Sequence, residues 1–117
     1  MHAILFKEIF MLGKRGVTVN VYAPRDTAAK NIMWDWLTPY MLNKNDSCLC
    51  VCGDFNSVRS SDDRKCRAFV FRQADADMFN KFIDDTMLID FPICGRLFTW
   101  YRGDGVTMSR LDRFLLS

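Results

Sequence analysis

The chain has 117 residues, half of them hydrophobic and 14% aromatic, which excludes a disordered segment and leaves room for one domain at most. Sixteen Lys and Arg against 14 Asp and Glu give a net charge of +2, too balanced either to demand or to exclude a nucleic-acid partner. The five cysteines, with no Cys-x-x-Cys spacing, argue against a disulfide framework and a zinc site, and no apolar run approaches a membrane span.

Residues 1–12 are apolar, but Lys7 and Glu8 interrupt them and no small-residue cleavage site follows, so they do not read as a signal peptide. Val17-Thr18-Val19-Asn20-Val21-Tyr22 alternates Val with polar residues and predicts a half-buried strand that Ala23-Pro24 ends. Asp26 can cap a helix whose apolar face is drawn through Ala28, Ala29, Ile32, Met33, Trp36, Leu37, Tyr40 and Met41. Pro39 should kink or stop that helix near Leu37 or Thr38. Cys48-Leu49-Cys50-Val51-Cys52, closed by Gly53, predicts a central strand covered on both faces, with its cysteines as small buried hydrophobes. Strand, helix and strand over this length form a parallel crossover, so the tips at Tyr22 and Asp54 should emerge at one edge.

The stretch Ser57 to Arg67 is polar and predicts a surface loop. Its Arg64 and Arg67 can be either solvated charges or, beside a strand end, substrate contacts. Asp75 to Asp85 reads as a second amphipathic helix burying Met78, Phe79, Phe82 and Ile83. Leu88-Ile89-Asp90 reads as a short strand or turn. A hairpin follows, with arms at Leu97 to Tyr101 and Met108 to Leu116 around Arg102-Gly103-Asp104-Gly105. Asp54, Asn56, Tyr22 and Asp112 then stand at or near strand ends, where carboxylates, a carboxamide and a phenol can orient water and bind phosphoryl oxygens. An Asp-x-Asn after a strand is often only a turn or a cap.

Four stretches occur in a meaningful order: Val21-Tyr22-Ala23-Pro24, Gly53-Asp54-Phe55-Asn56, Phe98-Thr99-Trp100 and Ser109-Arg110-Leu111-Asp112-Arg113-Phe114-Leu115. Together they resemble the endonuclease/exonuclease/phosphatase family, which has the deoxyribonuclease I-like fold. The nearest likeness is the endonuclease domain that precedes reverse transcriptase in plant LINE-type non-LTR retrotransposons, and Asn80-Lys81-Phe82-Ile83 and Gly95-Arg96-Leu97 add to it. The resemblance implies a partial four-layer α/β sandwich over 17–117, after a divergent N-terminal segment 1–16. It implies a Mg²⁺-dependent phosphodiesterase that nicks DNA for retrotransposition, with a reverse transcriptase domain as partner in an intact element. Asp54 would position or deprotonate water, and is the one possible metal carboxylate. Asn56 and Tyr22 would hold the phosphate, and Asp112 would orient a histidine. Arg64, Trp100 and Arg110 would contact substrate.

Two departures matter. The family's metal-binding Glu lies on an earlier strand, and its catalytic histidine follows in a Ser-Asp-His motif. Here the single Glu, Glu8, lies in an unrelated context, and the single histidine is His2. The expectation is therefore a fragment inactive alone. The alternatives are a non-catalytic remnant that binds nucleic acid or protein, and a same-fold phosphatase of small phosphoesters. The chain is expected to be intracellular, nuclear or cytoplasmic. Strands lacking their covering half would expose apolar faces and make the isolated chain poorly soluble or partly unfolded.

Overall fold

The computed structural model describes residues 3–11, 14–43, 48–65, 72–92, 98–101, 103 and 108–117. Cys66, Arg67, Cys94, the Gly95-Arg96-Leu97 stretch and most of the hairpin tip lie outside them. Strand β1 (Ala3–Met11) runs antiparallel to β2 (Lys14–Tyr22), and helix α1 (Thr27–Leu42) then crosses to β3 (Cys48–Asp54), which lies parallel to β2. A single 3-10 turn (Ser61–Asp63) leads into β4 (Arg64–Lys65), followed by helix α2 (Gln73–Thr86) and β5 (Ile89–Asp90). The chain closes with β6 (Trp100–Tyr101), β7 (Met108–Ser109) and β8 (Asp112–Leu116). The strands form a five-stranded sheet of order β1-β2-β3-β8-β5 and a three-stranded sheet of order β4-β7-β6. No helix among the described residues is long and apolar enough to cross a membrane.

One core lies between the larger sheet and the two helices. Val17, Val19 and Val21 on β2, Leu49 and Val51 on β3, and Leu115 on β8 point into it by the period-2 alternation of strands. Opposite them, Trp34 of α1 stacks on Phe55, Phe79 and Phe82, with centroids 6.1, 5.5 and 4.7 Å away. Each such ring pair adds about 0.5–1.5 kcal/mol beyond the area it removes from water. Arg113 stands over the Phe79 ring, 5.5 Å from its centroid.

Several expectations need correction. The buried stripe of α1 is Lys30, Met33, Trp34, Leu37 and Met41, whereas Ile32 and Trp36 are 71% and 53% exposed. The sequence face was drawn too far round the helix because a lysine marks its true centre, and a lysine reads as solvated until its partner is known. Pro39 does not stop the helix, which runs on to Leu42; so near the C-terminus, one missing N–H removes a single bond of the last turns. Asp26 does cap it, accepting the Ala29 N–H at 2.9 Å.

Strand β3 is buried on one face only: Leu49 and Val51 are covered, Cys50 and Cys52 half-covered, and Cys48 exposed, all three thiols free. The second hairpin arm is not one strand. It splits at Arg110-Leu111 into β7, which joins the small sheet, and β8, which joins the large one. The polar stretch after Asn56 is more than surface loop, since Ser57, Val58 and Asp63 are buried. Within the N-terminal segment, β1 is a strand that the sequence reading left unassigned. The described residues thus make a mixed α/β structure with helices on one sheet face; a four-layer sandwich goes beyond what they show.

Candidate functional site

Pairing registers build the site. Tyr22 on β2 is the register partner of Asp54 on β3, and Asp54 is the register partner of Asp112 on β8, so three predicted residues form one row across three strands. The strand ends are zipped just beyond that row. Ala23 N–H donates to Asp54 O at 2.8 Å, and Phe55 N–H to Leu111 O at 2.9 Å. Gly53 makes the close approach possible: its φ is +129°, and a Cβ there would lie 2.1 Å from the Val21 carbonyl oxygen. Only glycine takes that conformation without strain.

Asn56 follows in the left-handed region, φ 46°, unusual for a residue with a side chain. Three hydrogen bonds and a buried neighbour over-determine it. Its N–H donates to Asp54 Oδ1 at 2.9 Å and its Nδ2 to Ala23 O at 2.6 Å, while Phe55 beside it is fully buried. Its carbonyl accepts Lys30 Nζ at 2.7 Å. Lys30 is itself 1% exposed and donates to Ser57 Oγ at 3.1 Å and Asp75 Oδ2 at 2.6 Å, and Thr27 Oγ1 donates to the other Asp75 oxygen at 2.7 Å. A buried ion pair between the two helices thus anchors the turn that carries Asn56.

Burial raises the Asp54 carboxyl above its ordinary value, and the neighbouring Asp112 carboxylate pushes the same way. The Asn56 N–H, Arg25 and Lys30 oppose this only in part. Asp112 is placed from the small sheet: Thr99 Oγ1 accepts the N–H groups of Leu111 and Asp112 at 3.0 and 3.1 Å. That is the physical use of threonine in Phe98-Thr99-Trp100.

Next to the row lies a cleft of about 260 Å³, lined by Arg25, Lys30, Asn56, Arg64, Arg72, Asp75 and Trp100 among others. The structure therefore brings Asn56, Arg64 and Trp100 together. It does not bring Arg110 to them. That side chain reaches Phe91 O at 3.1 Å and Asp90 Oδ1 at 3.5 Å, within a cluster in which Arg113 bridges Asp63 and Asp90. The sequence reading missed Arg25, Lys30, Arg72 and Asp75. Lys30 was detectable as the missing member of the 33, 34, 37, 41 stripe; Arg25 and Arg72 carry no signal of their own.

Magnesium, implied by the resemblance, finds no complete donor set among the described residues. No group of three or more His, Cys, Asp or Glu side chains among the described residues could hold a metal. Glu8 is the partner of Val17, far along β1 from Ala3, which pairs with Tyr22 of the row. Asp54 and Asp112 supply two carboxylates and do not make a site by themselves.

No family model matches the chain, and no curated protein is similar to it. Solved structures that share its fold include beta toxin from Staphylococcus aureus, with a TM-score of 0.68 and 13% identity, aligned over 99% of this chain. That protein has a deoxyribonuclease I-like fold. The alignment covers 43% of beta toxin, so the chain spans less than half the length of this neighbour. At this identity the likeness concerns the fold alone.

Proposed function

We propose that this chain is part of a deoxyribonuclease I-like endonuclease, of the kind carried by LINE-type retrotransposons, which grips DNA phosphodiesters but does not cleave them by itself. The observation that carries this reading is the register row Tyr22, Asp54, Asp112 beside a cleft lined by arginines and Trp100. Arg25, Arg64 and Arg72 suit phosphate oxygens, and the indole offers a stacking face to a base.

Asp54, with its pKa raised by burial, is suited to take a proton from water. Asn56 has one amide hydrogen on Ala23 O and a second available for a phosphoryl oxygen. The half-exposed Tyr22 phenol donates from the next strand. Asp112 would orient a histidine, but the only histidine is His2, at the opposite end of the sequence. With no histidine partner and no complete metal set among the described residues, binding outlasts chemistry.

Fluorescence anisotropy with a labelled DNA oligonucleotide, run beside a plasmid-nicking assay containing Mg²⁺, tests this. Binding should weaken steeply with salt, and replacing Arg25 and Arg72 together by Ala should reduce the log–log salt slope by about 2. Nicking should be absent. Nicking that disappears in Asp54→Ala would show the chain to be a complete enzyme, and salt-insensitive or missing binding would remove nucleic acid as the ligand. A flanking reading frame with Ser-Asp-His and polymerase motifs would support the retroelement origin.

A further inference from the structure

The three-stranded sheet carries a row of its own. Ser109 on β7 is the register partner of Arg64 on β4 and of Trp100 on β6, so the three side chains rise from one sheet face. Backbone bonds pin the row on both sides. Thr99 N–H donates to Ser109 O at 3.0 Å, and Arg110 N–H to Asp63 O at 2.8 Å. Ser109 is buried and Trp100 is 38% exposed, and all three residues line the cleft that also holds Asn56, Arg25 and Arg72. A small side chain thus forms the floor between an indole and a guanidinium.

Spacing makes this a slot for a flat ring. Neighbouring strands lie about 4.8 Å apart, so Arg64 and Trp100 stand roughly 10 Å from each other across Ser109. A planar ring in contact with both walls needs about 3.5 Å on each side, roughly 7 Å in all. The walls are the two side-chain types that stack on nucleobases, an indole through its ring face and a guanidinium through its delocalised plane. Phosphates have places of their own: Arg25, just after β2, and Arg72, just before α2, are exposed at the same cleft.

We propose that this slot takes one unpaired nucleobase, so that the chain prefers DNA with a single-stranded or extruded nucleotide to continuous duplex. The inference rests on the grip on phosphodiesters proposed above and adds the form of DNA that the cleft selects. Inside a duplex both faces of a base are covered by its neighbours, and a base meets two walls at once only after leaving the stack. A duplex must therefore unstack and unpair to fill the slot, whereas a single strand or a bulge need not. The slot is also tied to the register row, because Thr99, next to Trp100, accepts the N–H groups of Leu111 and Asp112. A base held against Trp100 is held relative to Asp112.

Fluorescence anisotropy of the full chain at one salt concentration tests this with three labelled probes: a short single strand, the same sequence as blunt duplex, and that duplex with a one-nucleotide bulge. The single strand and the bulge should bind about ten-fold or more tighter than the duplex. Trp100→Ala should weaken both by about 5- to 150-fold, the worth of one base–aromatic stack, and erase their advantage. Trp100→Phe should restore most of it. Arg64→Lys keeps the charge and loses the flat face, so it should weaken both without changing the salt slope; it decides alone if Trp100→Ala does not fold. Salt-sensitive binding with the duplex held as tightly as the single strand would overturn the slot and leave the grip on phosphates standing. So would a preference that neither substitution alters. Absence of binding to every probe would remove both.

Discussion

Two charged regions lie about the ends of strands β3 and β8 and are built on opposite rules. In one, Arg113 bridges Asp63 and Asp90, Arg59 and Arg110 reach Asp90 at 3.4 and 3.5 Å, and Asn80 accepts from Arg59 Nε at 2.6 Å. Opposite charges meet there and Arg113 is almost wholly buried, so the cluster ties β8, β5, the 3-10 turn and α2 together. In the other, two carboxylates and a phenol stand in one register row. The first region spends its charges on holding the fold, whereas in the second the Asp54 carboxylate accepts only the Asn56 N–H among the described residues and feels the Asp112 carboxylate beside it. The paired network and the packed core hold the row in position.

Breaking the paired region should have the largest effect. Arg113→Met removes the buried cation that Asp63 and Asp90 share, leaving, among the described residues, Asp63 only the Arg59 N–H and Asp90 only the longer Arg59 and Arg110 contacts, and chemical denaturation should show a loss of about 3–5 kcal/mol. A loss below 1 kcal/mol would mean that the cluster is not what joins these elements. Gly53→Ala attacks the row from beneath, by its positive φ and the Val21 carbonyl, and should lose about 3 kcal/mol in the same measurement. Lys30→Met should lose about 2–3 kcal/mol, less than Arg113→Met because Thr27 still donates to Asp75. Adding Asp75→Leu should recover part of it.

The row should respond with the opposite sign. Because the folded-state pKa of Asp54 is raised above its ordinary 3.8, the folded chain binds that proton more tightly than the unfolded one. Stability therefore falls as pH rises from 3.8 through the raised value and stays lower above it. Asp54→Asn keeps an acceptor for the Asn56 N–H and removes that penalty. Its melting temperature should exceed that of the parent at pH 7, with the difference fading in acid. An Asn variant less stable at every pH would assign Asp54 to the supporting network instead. Tyr22→Phe, at a half-exposed position, should change stability by no more than about 0.5 kcal/mol, so any larger effect on DNA binding reports the phenol itself.

Strands β2 and β3, their parallel pairing, the Asp26 cap and the inner side of α2 were legible because each depends on neighbours in the chain. Periodicity, capping and crossover length are local signals. The tips at Tyr22 and Asp54 were legible for the same reason. The rotation of α1 was not, because Lys30 sits at its centre and its partner Asp75 lies 45 residues away. The division of the last arm between two sheets also lay beyond local reading, since β7 and β8 are separated by two residues and differ only in what they pair with. Arg110 shows the same limit: nothing in Ser109-Arg110-Leu111-Asp112 says that its guanidinium turns to Asp90 rather than to the cleft.

By itself, then, the amino-acid order determined which segments extend, which coil, where they stop and which polar groups sit at the stops, since these follow from spacing along a single chain. Which charges neutralise one another, which face of a strand is covered, and which arginines share a cleft with Trp100 were decided only when distant segments packed. Burial converts a solvated lysine or aspartate into a structural bond or a perturbed acid, and burial is a property of the assembled fold.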